Sequence, residues 1–300
     1  MFAHSYLMLV LLGPVFLLGM IGCAARGTPS PDARLAEGIR AIEMETGGTF
    51  GVSARHVTLG NSFDHRPEEV FPAASVIKTH LLAVLHRKAE RGEAALQETL
   101  VLREEDKVGG SGRLQNEGAG GDYTIQRLAH LMIVISDNTA TNMLMRYLGG
   151  IDAINAELEA MGFEQCRFGR YMMDFEAQER GVDNFISAPE TAELYVMIER
   201  GTATTRPEGS RAVLDVLLAQ ELQDRMPVLL PEGTLVAHKT GSLSAVCHDS
   251  GIIYAPSGPI ALAVLTKGIE EQAVAEDAIR RIARLVYDEW GAAGGLVPGS

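Results

Sequence analysis

The chain has 300 residues, of which 46% are hydrophobic and 22% charged, a balance typical of a globular protein with one or two domains and a sizeable core. Its 39 acidic residues outnumber the 26 basic ones and give a formal net charge of −13. Nucleic acid is therefore not expected as a partner, because binding to a phosphate backbone depends on clustered lysine and arginine.

The N-terminus is an almost wholly apolar run over 7–21 that ends in small residues. The run has the length of an export signal, is short for a membrane span and is interrupted by Pro14. Its Ile-Gly-Cys ending resembles a bacterial lipoprotein signal, which implies a lipid on Cys23. We expect a signal peptide at 1–22, a linker at 23–34, and a protein that is exported and either periplasmic or anchored by that lipid. A membrane helix that is never cleaved is the alternative.

Helical and strand patterns then follow in blocks along the chain. Apolar spacing predicts a first helix over 32–46, and alternation predicts strands over 49–57 and 61–64. Helical spacing predicts further helices that start at 75, 125, 140, 152, 189 and 211, and a last one over 271–290. Three more strands are predicted at 234–242, 247–254 and 260–266.

The order of these elements predicts an α+β fold. Strands from both ends of the chain would form a five-stranded antiparallel sheet covered by the terminal helices, and the middle of the chain would form an all-α lobe. We expect one domain over 35–290 and a flexible Gly-rich tail over 291–300. A cleft between the two lobes is the expected site.

The first motif with chemical meaning is Ser75 followed three residues later by Lys78. Positions three apart share one face of a helix, so both side chains would point the same way from the first turn. A serine hydroxyl needs a base within hydrogen-bond reach to become a nucleophile. The motif alone is weak, since a lysine in a first helical turn is usually solvated.

Two further motifs change this reading. The S-D-N sequence at 136–138 interrupts a helical pattern, and it could be no more than a helix cap. The K-T-G sequence at 239–241 lies in a predicted strand, where the lysine could guard an edge and the glycine indicates a close backbone approach. The order S-x-x-K, S-D-N, K-T-G is the set known for class A β-lactamases and penicillin-binding proteins.

With these motifs the chain resembles the class A β-lactamases and related active-site serine hydrolases over about 35–290. The resemblance implies a β-lactamase/transpeptidase-like fold, with an α/β lobe, an all-α lobe and the serine between them. It implies that Ser75 is the nucleophile that forms an acyl-enzyme. Lys78 would accept its proton or tune the base that does, and Ser136 would relay a proton to the leaving nitrogen.

The same resemblance implies the substrate contacts. Asn138 would bind the side-chain amide of the substrate, and Lys239, Thr240 and Ser242 would hold its carboxylate beside Gly241. The backbone N–H groups of the nucleophile and of Ser242 would form an oxyanion hole, an interaction whose loss costs roughly 3–4 kcal/mol.

Class A enzymes carry a glutamate that holds the deacylating water in a loop after the S-D-N helix, which here is the segment 163–187. Glu176 is the first candidate for this base. Arg180 stands where the family has an asparagine and the loop is short, so Asp174 and Glu179 stay open as alternatives.

The cation that assists with the substrate carboxylate is also open, with Arg206, Arg211 and His248 as candidates. Cys166 and Cys247 could pair in an exported protein, or both could be buried thiols. No two histidines stand at i, i+4 spacing, so we expect no metal site, and the chemistry requires no cofactor.

The sequence thus predicts a monomeric serine β-lactamase that hydrolyses the β-lactam amide through an acyl-enzyme on Ser75, with water-mediated deacylation. Its partner would be a small molecule, either a β-lactam or a cell-wall peptide, with membrane contact only through a lipid on Cys23. One alternative is a D-Ala-D-Ala carboxypeptidase-like or other serine hydrolase that turns over β-lactams slowly. A second is a non-catalytic envelope protein that binds such ligands as a sensor.

Overall fold

The computed structural model describes residues 1–2 and 29–292. The apolar run of the expected signal peptide, Cys23 and all but two residues of the expected tail lie outside the described residues, so these assignments stay predictions. Within the described part of the chain, no helix combines the length and the apolar character needed to cross a bilayer.

The elements are as follows in chain order. The helices are α1 (Pro31–Thr46), α2 (Lys78–Glu90), α3 (Ile125–Val134), α4 (Asn138–Tyr147), α5 (Gly150–Ala160), α6 (Phe175–Glu179), α7 (Ala188–Glu199), α8 (Pro207–Leu218) and α9 (Gln272–Trp290). The strands are β1 (Thr49–His56), β2 (Ser62–His65), β3 (Val70–Pro72), β4 (Thr99–Val101), β5 (Asp122–Thr124), β6 (Phe185–Ser187), β7 (Val236–Leu243), β8 (Val246–Ala255) and β9 (Gly258–Lys267).

The main sheet has the strand order β2-β1-β9-β8-β7, and every neighbouring pair is antiparallel. This confirms the predicted five-stranded antiparallel sheet built from both ends of the chain. Alternate residues of a strand face opposite sides of the sheet, and β9 uses both sides: Ile260, Leu262 and Val264 join one core, whereas Ala261 and Ala263 join the other.

One core lies between the sheet and the two terminal helices. Leu35, Ile39 and Ile42 of α1 pack there with the apolar face of α9. Ser30 caps α1 by accepting a hydrogen bond from the Ala33 N–H, so the helix begins at Pro31, inside the segment assigned to the linker. The observed helix begins one residue before the predicted helix over 32–46, and the domain boundary stays a prediction.

The second core fills the helical lobe and the other face of the sheet. Its centre is α2, whose residues 78–86 are all buried. A helix that is covered on every side has no solvent face, so the polar members of that stretch must find partners inside the protein. Lys78 is one of them, and its partners belong to the site described below.

The segment 163–187, expected as one long loop, contains α6 and ends in β6. Strand β6 pairs with β3, so the end of the loop is joined to the strand that leads to Ser75. Asn155 fixes the start of the loop, since its side chain accepts from the Phe168 N–H at 2.8 Å and donates to the Phe168 carbonyl at 2.7 Å. The loop is thus attached at both ends rather than free.

Candidate active site

A cavity of about 240 Å³ lies where the two lobes meet. Side chains from the S-x-x-K, S-D-N and K-T-G regions line it together with the loop 163–187. The lining residues are Ala74, Ser75, Gly110, Ser111, Asn138, Arg170, Met172, Met173, Phe175, Asp183, Asn184, Ser242 and Leu243. The three motifs, which are far apart in the sequence, therefore meet at one place.

Ser75 lies in a tight turn that precedes α2, and not in the first turn of the helix as expected. The helix begins at Lys78, after a run of i→i+3 bonds that includes the Val76 N–H to the Ala73 carbonyl at 3.2 Å and the Lys78 N–H to the Ser75 carbonyl at 3.2 Å. Ala74 has φ +45°, a conformation that is costly for a residue other than glycine. Strand β3 ends at Pro72, and this turn redirects the chain so that Ser75 reaches the cavity wall.

Lys78 is completely buried beneath this wall. Its Nζ lies 2.7 Å from the Ser136 carbonyl and 2.8 Å from Asn138 Oδ1, to which it donates, and 3.1 Å from the Ser136 hydroxyl oxygen. Burial lowers the pKa of Lys78 well below its usual range, and the charge of Lys239 acts in the same direction. Both effects favour the neutral amine, the form of a lysine that can act as a base.

The S-D-N residues form the turn between α3 and α4. Ser136 has φ +58°, and Asp137 caps α4 by accepting from the Ala140 N–H at 2.9 Å. The same carboxylate accepts from the N–H groups of Arg113 at 2.8 Å and Leu114 at 2.9 Å. The cap reading is therefore correct for the aspartate, which also fixes the chain just after the Gly-rich loop 109–112, part of which lines the cavity.

Lys239 and Gly241 lie on β7, facing the turn that carries Ser75. A Cβ atom on Gly241 would lie 2.8 Å from the Ser75 amide nitrogen, so only glycine allows this approach. Lys239 is completely buried and donates to the Thr240 carbonyl at 2.8 Å. Burial and then the charge of Arg225 lower the pKa of Lys239 to about 7.

Arg225 is a site residue that the sequence reasoning missed. It is 4% exposed, and it donates to the carbonyls of Gly241 at 2.9 Å and His248 at 2.7 Å and to Ser242 Oγ at 2.7 Å. It lies in the irregular segment before β7, where no pattern in the sequence indicates its direction. Of the three candidates proposed from the sequence, Arg206 and Arg211 are exposed and do not line the cavity. His248 pairs with Gly241 across the sheet but is buried, with its Nε2 2.8 Å from the Pro72 carbonyl oxygen.

Replacing Arg225 with methionine should lower the free energy of unfolding by about 2–4 kcal/mol, because buried acceptors would lose their donor. The measurement is the urea midpoint of the variant against the parent chain. Arg211→Met is the matched control, since that side chain is exposed and pairs with Asp215 on the next helical turn; it should change stability by less than about 0.5 kcal/mol. Equal midpoints for the two variants would contradict the role given to Arg225.

The structure does not bring Glu176 together with Ser75. Glu176 and Glu179 are exposed on α6, and neither lines the cavity. The Asp174 carboxylate accepts from the Ala177 N–H at 3.0 Å and caps that helix. The assignment of the deacylation base to one of these three carboxylates stays a prediction, and their placement does not support it.

The loop instead presents Met172 and Met173 to the cavity. Asn142, on the face of α4 that also carries Asn138, donates to the Met172 carbonyl at 3.0 Å and accepts from its N–H at 2.8 Å. Met173 follows with φ +64°. Asn142 was also missed from the sequence, although its position four residues after Asn138 places both on one helical face.

The two remaining cysteines are free thiols. Cys166 and Cys247 are both buried and are not joined by a disulfide. Burial raises the pKa of each thiol, that of Cys247 to about 11. Neither has the exposed, electropositive surroundings of a reactive cysteine.

Known proteins resemble this chain in sequence and fold. The family model described as the beta-lactamase enzyme family matches residues 34–290. A β-lactamase of Streptomyces lavendulae is 28% identical over 262 residues, which cover 85% of this chain and 86% of that protein. The crystal structure of a β-lactamase from Sphaerobacter thermophilus is 32% identical, with a TM-score of 0.79 and coverage of 86% of this chain and 97% of that one.

A third neighbour is the L158E mutant of PBP-A, solved as an acyl-enzyme complex with penicillin G. It is 28% identical, with a TM-score of 0.79, and the match covers 87% of this chain and 98% of that one. These neighbours confirm the β-lactamase/transpeptidase-like fold that the sequence predicted. With a family model matched over nearly the whole described domain, the chain belongs to the β-lactamase enzyme family and is a hydrolase of that family.

Proposed function

We propose that the protein opens the amide bond of β-lactams by forming an acyl-enzyme on Ser75, which water then hydrolyses. The observation that carries this proposal is the position of Ser75 on the cavity wall, with its backbone against Gly241 and with the buried Lys78 three residues further along the same turn. The penicillin G acyl-enzyme complex of the structural neighbour PBP-A supports the same chemistry.

In the proposed acylation step, Ser75 Oγ attacks the lactam carbonyl and its proton passes to the neutral amine of Lys78. The bond between Lys78 Nζ and Ser136 Oγ, at 3.1 Å, gives a path for that proton to the lactam nitrogen as the ring opens. The bond formed is the Ser75 ester, and the bond broken is the lactam C–N bond.

In this mechanism the substrate carboxylate would bind next to β7, where the basic side chains of the site lie. Lys239 lies buried on β7, and Arg225 donates to the Ser242 hydroxyl at 2.7 Å, so two basic side chains lie at this strand. We propose that Thr240 and Ser242 contact the carboxylate, and that Lys239 and Arg225 stabilise it through charge.

A second candidate, an enzyme that is acylated readily and releases the acyl group slowly, is favoured by one observation. Among the described residues, the only carboxylate that lines the cavity is Asp183, and it is paired with Arg170 at 2.8 Å. Met172 and Met173 occupy the wall on the loop side. Sulfur-containing apolar side chains cannot accept a proton from the deacylating water.

One experiment separates these candidates. The purified protein is mixed with a chromogenic cephalosporin while product formation and intact protein mass are followed together. A burst of one equivalent with a persistent adduct supports slow release. Rapid steady turnover with little adduct supports a fast β-lactamase, and the absence of both product and adduct would refute acylation in either form.

Replacing Glu176 with alanine should leave steady-state turnover within about twofold of the parent, because the side chain is exposed and does not line the cavity. The same cephalosporin assay measures this. Glu179→Ala, on the same helix, is the matched control. Accumulation of an adduct in Glu176→Ala alone would instead establish Glu176 as the deacylation base.

We also propose that the protein is exported and carries a lipid on Cys23. Support comes from the apolar run over 7–21 and its Ile-Gly-Cys ending. Incorporation of a radiolabelled fatty acid by the parent chain, and its loss in Cys23→Ala, tests the lipid.

A further inference from the structure

Two ionisable side chains that the proposed mechanism does not use form a pair in the protein interior. His238 lies on β7 and Asp249 on β8, and both side chains are completely buried. The His238 Nδ1 lies 2.9 Å from Asp249 Oδ1. Because a buried ionic pair often stabilises a protein no more than apolar residues of the same volume would, this pair is a candidate for a second role.

The pair lies in the core beneath the terminal helices. Alternate residues of a strand face the same side of the sheet, and the same-side neighbours Val236 on β7 and Cys247 on β8 both belong to that core. Neither His238 nor Asp249 lines the cavity that holds Ser75. The pair therefore does not touch a substrate in the cavity, and any effect on the reaction passes through other residues.

The second carboxylate oxygen of Asp249 gives that connection. It accepts a hydrogen bond from the Met226 N–H at 3.0 Å. This N–H belongs to the peptide that joins Met226 to Arg225. The segment 220–225 is irregular, so no helix or sheet ladder fixes its direction. Asp249 thus holds the chain at the base of the Arg225 side chain.

The guanidinium of Arg225 has more than one place to go. It donates to the Gly241 carbonyl at 2.9 Å and to Ser242 Oγ at 2.7 Å. Two carboxylates also lie near it, since Asp224 is 3.7 Å from its Nε and Glu276 is 3.8 Å from its Nη2. A shift of the backbone at Arg225 would let the guanidinium close on either acid, because charged hydrogen bonds are the strong ones.

We propose that Asp249, supported by His238, is a positioning residue that keeps Arg225 at the end of β7 where the substrate carboxylate would bind. The inference rests on the proposed function, which places that carboxylate beside Ser242. Loss of the contact with the Met226 N–H would weaken recognition of the carboxylate. It would leave the nucleophile and its base as they are, because neither touches the pair.

A matched pair of substrates isolates the carboxylate. Benzylpenicillin and its methyl ester share the same rings and side chain, and only the acid carries the charge. The ratio of their kcat/KM values, measured on the full chain, reports what the carboxylate contributes to acylation. We expect the parent chain to favour the acid by at least about tenfold.

Two substitutions of Asp249 test the positioning role. Asp249→Ala removes the acceptor and should lower kcat/KM for benzylpenicillin by about tenfold, mainly through KM, and that for the ester by less than about twofold. Asp249→Asn keeps an oxygen that can accept from the Met226 N–H, so it should stay within about threefold of the parent for both compounds. Equal losses for acid and ester, or an asparagine variant as impaired as the alanine variant, would overturn the inference.

Asp64→Ala is the matched control. Asp64 lies on β2, at the opposite edge of the same sheet, and pairs with Arg55 at 2.9 Å. It should change neither kcat/KM value. A circular dichroism melt checks that each variant is folded. If Asp249→Ala does not fold, His238→Leu removes the donor to the carboxylate instead, and it should lower the preference for the acid by at least about threefold. An unchanged preference in that variant would overturn the inference.

The outcomes remain distinguishable from failure of the proposed function. If the parent chain is acylated by neither compound, the acylation proposal fails, and the inference fails with it. If the parent processes acid and ester equally well, the placement of the carboxylate fails. If the parent prefers the acid but the Asp249 and His238 variants keep that preference, only the inference fails.

Discussion

Replacing Ser75 with alanine should abolish turnover of a chromogenic cephalosporin, with a loss of roughly 10⁴-fold or more. The side chain lies on the cavity wall and is the nucleophile of the proposed mechanism, and alanine cannot form the ester. The half-buried position and the small change in volume should leave the fold intact. The measurement is the initial rate of product formation at saturating substrate.

Ser244→Ala is the matched control for this variant. Ser244 is an exposed serine in the turn between β7 and β8, close to the site but not among the residues that line the cavity. It should retain the parent rate. A Ser75→Ala protein that turns over the cephalosporin at the parent rate would show that the nucleophile lies elsewhere.

Replacing Lys78 with methionine should lower the rate of acylation by about 10²–10⁴-fold, the range expected for loss of a general base. Methionine matches the length of the lysine stem but cannot accept the proton of Ser75. Its removal also frees Ser136 Oγ and Asn138 Oδ1 from the donor that holds them. The rate is measured by intact mass after rapid mixing with benzylpenicillin.

Lys88→Met is the matched control for Lys78→Met. Lys88 lies on the same helix, α2, and its Nζ is 3.7 Å from Glu93, far from the cavity lining. Its acylation rate should equal that of the parent chain. A Lys78→Met protein that is acylated within about threefold of the parent would rule out the proposed proton path.

The main sheet and the longer helices could be predicted because their patterns are local. Alternating residues in β9 and helical spacing in α1 record which side of each element is buried. The three-residue strands β3 and β6 could not be predicted, since each exists only through pairing with a partner about a hundred residues away. The turn before α2 was missed for a similar reason: it depends on where β3 ends.

The residues of the candidate site also fall into those that the sequence could indicate and those that it could not. Ser75, Lys78 and Ser136 could be proposed from the sequence because each belongs to a motif with a chemical reason for its spacing. Gly241 was expected to mark a close approach to the strand backbone, and in the structure it is the backbone of Ser75 that lies close to it. Arg225 could not be found, because its direction is set by carbonyl groups on two different strands.

The side chains of the loop 163–187 were the least predictable part. A carboxylate in a loop after the S-D-N helix can point into the cavity or into solvent, and the sequence does not distinguish the two. The structure exposes Glu176 and turns Met172 inward through its two bonds to Asn142. Which side chain of this loop faces the acyl-enzyme is therefore decided by packing, and a sequence motif does not predict it.

The central claim is that a β-lactam acylates Ser75, and peptide mapping of the acid-quenched reaction with benzylpenicillin tests it most directly. Opening of the lactam ring leaves the nitrogen attached to the acyl group, so the adduct should carry the mass of the whole penicillin. We predict one such adduct per chain, on the peptide that contains Ser75. An adduct on another residue, or no adduct at any time after mixing, would contradict the mechanism.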